Sequence, residues 1–256
     1  MRFDLITLFV ELFDPFLRCG VTRRAYESRQ VDVRLHDLRE HAEGQYRRVD
    51  DRPFGGGPGM VMMAEPLSRC LAQVQSQREA DGMPRAPVLL FSPVGRRIDQ
   101  ATVQRFAEDP CGAVLLCGRY EGIDQRFIDR HVDEQLSLGD FVLSGGEIAA
   151  MALLDAVARL QPGVLHDEES ARADSFHPAL DGLLDCGHYT RPEVWQGQGV
   201  PPELLSGHHA RIERWRREQR LALTARLRPD LIDAARAAGR LSAQDEHWLA
   251  DHGKKL

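Results

Sequence analysis

The sequence contains no long apolar run, no paired-cysteine pattern and no overall excess of positive charge. No segment approaches the roughly 20 consecutive apolar residues that cross a bilayer. The first residues also lack a signal-peptide layout, so we expect a cytoplasmic protein with no membrane partner. The five cysteines are odd in number and lack Cys-x-x-Cys spacing, which excludes an encoded disulfide framework or zinc site. The formal net charge of -6 argues against a general binder of polyanions.

Positive charge is nevertheless concentrated in one C-terminal segment. Between residues 207 and 228, seven arginines stand against two glutamates. A solvated face of an amphipathic helix would account for this excess, but in an acidic protein it favours a surface that contacts a phosphate backbone. Arg214 and Arg217 lie in this segment.

Apolar runs and segments with helical spacing alternate along the first half of the chain. They predict strands at 2–9, 31–36 and 88–91, and helices at 66–80 and 101–107. Strands separated by helices indicate an α/β fold with a mostly parallel sheet and helices on its faces.

Two further apolar runs, at 113–117 and 135–138, each end in a glycine-bearing loop that carries a carboxylate, Glu121 in one and Asp140 in the other. Ligands of open parallel sheets bind at such strand ends, and glycine lets the backbone approach a ligand closely. The loops are either the walls of one pocket or ordinary strand-to-helix connections, and the carboxylates favour the pocket. The second loop also has Ser-x-x-Glu spacing at 144–147, which predicts a capping box and the start of a helix.

A glycine-rich run, DDRPFGGGPGM, occupies residues 50–60. A phosphate-binding P-loop would end in Gly-Lys-Ser/Thr, whereas Gly59 is followed by Met60, so that function is excluded. The run is either a mobile turn or a substrate loop.

A polar stretch separates the α/β region from a helical C-terminal region. Residues 165–180 follow Pro162-Gly163 and show no periodicity, which predicts an interdomain linker. After Pro201 the pattern is helical. On these patterns alone, Asp174 is a solvated linker acid, and Arg159 is a cation that offsets the dipole at a helix end.

Four segments together match the motifs of one family. They read DDRPFGGGPGM at 50–60, CGRYEGID at 117–124, GDFVLSGGE at 139–147 and HYTRPEV at 188–194. In this order, across roughly residues 1–225, they closely resemble the bacterial tRNA (guanine-N1)-methyltransferases, the TrmD family of the SPOUT superfamily.

The resemblance implies a SPOUT-type fold. This fold is a parallel sheet with helices on both faces and a deep trefoil knot, followed by a small all-helical domain. General topology rules disfavour knots, so the knot rests on the resemblance alone. The implied domains are a knotted catalytic domain that binds S-adenosylmethionine at 1–164, a linker at 165–180 and a helical tRNA-binding domain at 181–256. A homodimer with active sites at the subunit interface is also implied.

The implied reaction moves a methyl group from S-adenosylmethionine to N-1 of the guanosine immediately 3′ of the tRNA anticodon. By the motif match, Asp174 is the general base for the N-1 proton, and Arg159 stabilises negative charge on the guanine oxygen. The resemblance also makes Mg²⁺ plausible, with Glu121 as its contact. The matching positions for the cofactor are Ser92, Pro93, Gly118, Tyr120, Glu121, Gly122, Leu138, Gly139, Asp140, Phe141, Val142, Leu143, Gly145 and Gly146, and those for the tRNA anticodon arm are Asp50, Gly59, His188, Arg214 and Arg217.

Two alternatives stay open: a knotted methyltransferase that acts on another RNA, and a noncatalytic RNA-binding module that kept the fold. The linker acid and the basic C-terminal region favour tRNA as the substrate. Asp174, Arg159 and both loops argue against the noncatalytic module. Departures from the family pattern are few. Gly187 stands where proline is common, Phe54 and Phe141 replace common tyrosines, and the linker is longer by residues near 177–180. None of these changes removes a proposed catalytic group.

Overall fold

The computed structural model describes residues 1–252. The chain divides into two compact units, Met1–His166 and a second that begins at Asp167. The division falls inside the predicted linker, and most of that segment belongs to the second unit. All five cysteines are free thiols, three of them buried. Within residues 1–252, no helix has both the length and the apolar content needed to span a membrane.

The first unit alternates strands and helices. Its strands are β1 Arg2–Thr7, β2 Asp32–Asp37, β3 Asp50–Asp51, β4 Val61–Met62, β5 Val88–Arg97, β6 Gly112–Leu116 and β7 Glu134–Ser137. Its α-helices are α1 Phe13–Arg18, α2 Arg23–Glu27, α3 Ala64–Ala80, α4 Gln100–Glu108, α5 Gln125–His131 and α6 Glu147–Ala158, and short 3₁₀ helices cover Val10–Leu12 and Leu38–His41.

Five of these strands form one parallel sheet in the order β2-β1-β6-β5-β7. Successive side chains of a strand point to opposite faces, and both faces are covered here. Leu89 and Leu115 belong to one core with residues of α4 and α6, while Leu90 and Val114 belong to another with residues of α3 and α5. Burial on both faces explains the continuous apolar runs of these strands. The structure confirms the predicted α/β fold with a parallel sheet.

Strand β5 is longer than predicted because it contains a wide irregularity. Phe91 and Arg96 both pair with Leu136 of β7, so residues 92–95 leave the ladder. A Cβ added to Gly95 would lie 2.5 Å from the backbone nitrogen of Leu136. Only glycine lets the bulged segment pass this close to β7.

Helix α6 begins inside the second glycine loop, as predicted, but the predicted capping box is wrong. The N-cap residue is Gly146, and no side chain caps the helix. Glu147 does not reach back to Ser144, because its side chain is buried and is bound by Arg119 and Thr7.

The second unit is mostly helical in its described part. Its helices are α7 Glu168–Arg172, α8 Pro202–Leu205, α9 His209–Leu227, α10 Pro229–Ala237 and α11 Ala243–His252, with a 3₁₀ helix at Pro178–Leu180 and a hairpin of β8 Val194–Trp195 and β9 Gln198–Gly199. Its small core contains Leu183, Leu221, Ile232, Ala235 and Leu249.

The segment predicted as an aperiodic linker contains regular structure. Helix α7 and the 3₁₀ helix Pro178–Leu180 both lie in it. The amide of Phe176 also donates to the carbonyl of Leu183 at 2.9 Å. Helices of three to five residues complete too few turns to show periodicity in a sequence, which is why the pattern did not predict them.

Candidate functional site

A cavity of about 550 Å³ lies beside the bulge of β5 and the carboxyl ends of β6 and β7. Three segments form most of its lining: the bulge of β5, the loop after β6, and the end of β7 with the loop that follows it. Gly139 and Asp140 are not part of its lining. The other twelve residues predicted to bind a cofactor are, namely Ser92, Pro93, Gly118, Tyr120, Glu121, Gly122, Leu138, Phe141, Val142, Leu143, Gly145 and Gly146.

Two glycines bring the loops after β6 and β7 together. The amide of Gly146 donates to the carbonyl of Gly118 at 3.0 Å. A Cβ on Gly146 would lie 2.8 Å from the Cα of Cys117, and a Cβ on Gly145 would lie 2.2 Å from Nε of Arg119. A side chain at Gly146 would therefore push the loops apart, and one at Gly145 would displace the side chain of Arg119.

Gly139 and Asp140 shape the second loop from outside the cavity lining. The hydroxyl of Ser137 donates to the Gly139 carbonyl at 3.1 Å and accepts from its amide at 3.2 Å. The amide of Phe141 donates to the same carbonyl at 2.9 Å. Asp140 forms an ion pair with Arg97 at 3.2 Å, with both side chains mostly exposed. The predicted cofactor contact of these two residues stays a prediction.

A buried ion pair, which the sequence patterns did not reveal, joins the two loops. Nε of Arg119 donates to Oε1 of Glu147 at 3.1 Å, and Nη2 lies 2.9 Å from Oε2 without the alignment of a hydrogen bond. Thr7 donates to Oε1 at 2.8 Å, and Nη1 of Arg119 donates to the Ser144 carbonyl at 3.3 Å. The guanidinium also stacks over the ring of Phe9. In the sequence, the only sign of this pair is that one glycine loop carries a positive charge, Arg119, and the other ends in a negative charge, Glu147.

The glycine-rich run forms the tip of a hairpin whose stem contacts the first loop of the cavity. The amide of Glu121 donates to the carbonyl of Met60 at 3.0 Å. Gly59, at φ +73°, leaves the space that the Glu121 side chain fills, since a Cβ there would lie 2.3 Å from Oε1. Burial, followed by a hydrogen bond to the Asp50 carboxylate, raises the pKa of the Tyr120 hydroxyl. Asp50 and Gly59, predicted to contact RNA, therefore lie beside residues predicted to contact the cofactor.

The two residues predicted to be catalytic lie in different units. Arg159 is the C-cap residue of α6 in the first unit. Asp174 follows α7 in the second unit, where its carbonyl accepts from the amide of His177 at 3.2 Å. Their catalytic roles stay predictions.

The three residues of the second unit that are predicted to contact RNA differ in their burial and in the ion pairs that they form. His188 is 80% exposed, with Nε2 2.9 Å from Oδ2 of Asp185. Arg214, on α9, is also mostly exposed and has one surface ion pair. Arg217 is more buried. It donates to both carboxylate oxygens of Asp245 at 3.0 Å and lies 2.8 Å from Asp181.

No metal centre stands out in the part of the chain that the structure describes. Residues 1–252 contain no group of three or more His, Cys, Asp or Glu side chains placed to hold a metal ion. Glu121, the predicted Mg²⁺ contact, lines the cavity. Mg²⁺ is commonly held by one or two carboxylates together with water and substrate phosphates, so the Glu121 contact stays a prediction.

The fold and the cavity together define a class of protein, an α/β protein with a small-molecule site at the carboxyl ends of parallel strands. Comparison with known sequences then identifies the family. The family described as tRNA (Guanine-1)-methyltransferase TrmD matches residues 1–234. The chain belongs to this family, and the resemblance drawn from its motifs is confirmed.

Proteins named tRNA (guanine-N(1)-)-methyltransferase are similar to this chain over nearly their whole length. The relative from Polaromonas sp. is 69% identical over 251 residues, which cover 98% of this chain and 96% of the relative. The relative from Paracidovorax citrulli is 70% identical over 250 residues, which cover 98% of both chains. The relative from Albidiferax ferrireducens is 70% identical over 250 residues, covering 98% of this chain and 99% of the relative.

Proposed function

We propose that this protein is a tRNA (guanine-N1)-methyltransferase. It moves a methyl group from S-adenosylmethionine to N-1 of the guanosine immediately 3′ of the anticodon. The observation that carries this proposal is the family match across residues 1–234, and two of the four motif segments, 117–124 and 139–147, contribute residues to one cavity.

The residues around the cavity fit S-adenosylmethionine. The volume of about 550 Å³ falls within the roughly 300–1,000 Å³ typical of small-ligand sites. Gly145 and Gly146 pack against Arg119 and Cys117 where a Cβ would collide. This close approach of the two loops places backbone peptide groups in the cavity wall, where they can bind the polar ends of a ligand. Leu138 and Val142 offer apolar contact. When bound, S-adenosylmethionine supplies an electrophilic methyl group on a sulfonium centre.

The chain's own groups would handle the proton and the charge of the guanine. N-1 carries a proton at neutral pH and is a poor nucleophile until that proton leaves. Asp174 would accept the proton, and Arg159 would stabilise the negative charge that builds on the guanine oxygen. The Arg119–Glu147 pair holds the two loops at fixed separation, so it is a positioning pair.

Family membership supports a SPOUT-type trefoil knot in the first unit. In the sheet, β5 lies between β6 and β7. The loops that follow β6 and β7 nevertheless join through the hydrogen bond between Gly146 and Gly118. Loops that meet across an intervening strand are compatible with a threaded chain.

A homodimer with active sites at the subunit interface is the assembly that we propose. Val94, Phe141 and Val142 line the cavity, yet they are 82%, 55% and 82% exposed. A second subunit would cover this apolar rim. Light scattering should give twice the chain mass of 28.8 kDa, and a fully active monomer would contradict the proposal.

The tRNA anticodon arm is the partner that we propose for the hairpin and the second unit. Asp50 and Gly59 lie on the hairpin beside the cavity, and His188 and Arg214 are exposed in the second unit. Arg217 supports this proposal least, because its guanidinium already binds two carboxylates. Mg²⁺ with Glu121 as its contact also stays a proposal, and a methylation rate that is unchanged by a chelator would oppose it.

The central test is a methyl-transfer assay with labelled S-adenosylmethionine and tRNA transcripts varied at the target guanosine and at its 5′ neighbour. Label should enter transcripts that carry the guanosine and should be absent when adenosine replaces it. Transfer only to an unrelated RNA would favour the methyltransferase with another substrate. Binding of tRNA without transfer would favour the noncatalytic module.

Asp174→Ala tests the proposed base in the same assay. We expect the rate to fall by roughly 10²–10⁴-fold, the usual contribution of general base catalysis, while affinity for S-adenosylmethionine stays the same. Asp233→Ala is a suitable control, since Asp233 is an exposed acid of the same unit with a surface ion pair. Normal activity of the Asp174 variant would remove this residue from the mechanism.

A further inference from the structure

Phe54 is the most exposed large apolar side chain of the first unit. Its exposure is 99%, whereas the other exposed aromatic rings of that unit keep some contact with neighbouring atoms. A ring that is fully surrounded by water contributes no burial to the fold, so Phe54 is free to contact a partner.

The backbone that carries Phe54 is fixed at its base and open at its tip. Strands β3 and β4 pair in antiparallel register, and the amide of Met63 donates to the carbonyl of Val49 at 2.8 Å. The tip contains Gly55, Gly56 and Gly57, all at positive φ, and a Cβ added to any of them would meet open space. The Phe54 ring therefore lies on a glycine-rich tip that can change its backbone conformation, while hydrogen bonds hold the stem in place.

The stem connects this tip directly to the cavity. The Glu121 amide binds the Met60 carbonyl, the Met62 amide donates to the Gly122 carbonyl at 2.9 Å, and Tyr120 binds Asp50. Three of these residues line the cavity, namely Tyr120, Glu121 and Gly122. The stem of the hairpin that carries Phe54 is thus fixed to the wall of the cavity.

The surroundings of Phe54 suit a nucleic acid better than a protein. Arg47, Arg48 and Arg52 are exposed and outnumber the two aspartates of the same segment, 50 and 51. Of these three arginines, only Arg48 has an ion pair among the described residues, to Asp51. A protein interface of standard size buries about 800 Å² per partner around a cluster of anchors. The neighbours of Phe54 in the tip are proline and glycines, which offer no such cluster.

We propose that Phe54 stacks on a base of the substrate RNA adjacent to the target guanosine and so holds the anticodon loop open while that guanosine occupies the cavity. Removing a base from its stack costs a few kcal/mol, and an aromatic ring that stacks on the exposed neighbouring base offsets this cost. The arginines of the hairpin bind the flanking phosphates. Phe54 is a positioning residue, and the inference rests on the proposed function.

Steady-state kinetics of four variants of the full-length protein test the stacking. Phe54→Ala should lower kcat/KM for tRNA by roughly 5- to 100-fold, the effect usual for one base–aromatic stack, with unchanged affinity for S-adenosylmethionine. Phe54→Trp should restore the wild-type value, and Phe54→Leu should not, because leucine is apolar but has no π-face. Tyr46→Ala is the matched control, since Tyr46 is an aromatic residue of the same segment with 83% exposure.

A fluorescent readout separates stacking from a structural role. With 2-aminopurine beside the target guanosine, binding to the wild-type protein should quench the probe, and Phe54→Ala should leave it bright at saturating protein. Equal kinetics for wild type, Phe54→Ala and Phe54→Leu would overturn the inference. So would a Phe54→Ala variant that changes only the oligomeric mass, which would assign the ring to a second copy of the chain. If the wild-type protein methylates no tRNA, the proposed function itself fails.

Discussion

Gly146 and Gly187 are both glycines, but their surroundings in the structure differ. The amide of Gly146 binds the Gly118 carbonyl, and a Cβ on Gly146 would meet the backbone of Cys117 at 2.8 Å. A Cβ added to Gly187 would have no neighbouring atom within 4 Å, and the φ of Gly187 is not positive. Position 146 therefore requires glycine because there is no room for a side chain, and not because its backbone angles are unusual.

Gly146→Ala should separate the two cavity loops. The added methyl group meets backbone that cannot rotate away, so we expect a loss of roughly 1–3 kcal/mol in the free energy of unfolding, as for overpacked cores, and weak or no binding of S-adenosylmethionine. Gly187→Ala should stay within about 0.5 kcal/mol of wild type and keep its affinity. Denaturant unfolding and calorimetry would measure both quantities, and identical behaviour of the two variants would contradict this account.

Single residues of the site were predictable only where a local rule applied. Glycine at the end of a parallel strand has a clear physical use, so both loops could be predicted from the sequence. The pair of Arg119 and Glu147 could not, because it forms only after the loops of β6 and β7 meet. Glu147 also stood in capping-box spacing, and the stronger partner, Arg119, overrode that local signal.

At the scale of elements, most of the arginines in and around helix α9 form ion pairs in the folded chain. Six of the seven arginines between residues 207 and 228 are in ion pairs. Most of the acidic partners lie outside that segment: Asp181, Asp185, Glu203, Asp230 and Asp245. Arg226 is the seventh, and it has no ion pair among residues 1–252. Acidic side chains of the second unit therefore neutralise much of the local excess of positive charge that the sequence shows.

Arg217→Ala and Arg214→Ala should therefore have different effects. Arg217→Ala leaves the buried Asp245 without its bidentate partner, and we expect a loss of roughly 2–4 kcal/mol in the free energy of unfolding. Arg214→Ala removes a surface pair worth about 0.5 kcal/mol or less. It should instead weaken tRNA binding and reduce the salt slope by about one. Urea unfolding and binding titrations at several salt concentrations would show the contrast, and an unchanged slope for Arg214→Ala would place the RNA contact elsewhere.

Elements with a long regular pattern were predictable, and the others were not. Strand β6 at Gly112–Leu116 and helix α3 at Ala64–Ala80 begin and end close to their predicted limits. Burial on both faces gives β6 a continuous apolar run, and burial of one face gives α3 a helical period. Helix α7 was missed because five residues carry no period. The bulge of β5 was missed because it depends on the contact of Gly95 with β7.

At the scale of the whole molecule, a buried ionic cluster ties the start of the sheet to a helix. Asp4 of β1 is fully buried and accepts hydrogen bonds from Arg2 at 2.8 Å and from Arg78 of α3 at 2.8 Å. Nε2 of His36, on β2, lies 2.9 Å from the same carboxylate. Burial alone would raise the pKa of Asp4, but the hydrogen bonds of His36, Arg2 and Arg78 outweigh it and hold that pKa below the usual 3.8.

This cluster predicts acid-sensitive stability. Because the pKa of Asp4 is lower in the folded chain than its unfolded value of 3.8, its contribution is complete above about pH 5 and is lost as the pH falls through the folded pKa. Asp185 and Asp245, whose pKa values are also lowered, add to the same trend in the second unit.

Urea unfolding between pH 7 and pH 3 should therefore show falling stability below about pH 4. Asp4→Asn should cost roughly 3–5 kcal/mol at pH 7, because the buried Arg78 loses its carboxylate partner and the buried Arg2 keeps only Asp81, and should show a flatter pH dependence. Asp14→Asn, at an exposed ion pair, should reproduce the wild-type curve. A steep acid dependence that survives in Asp4→Asn would assign the sensitivity to other carboxylates with lowered pKa values, such as Asp185 and Asp245.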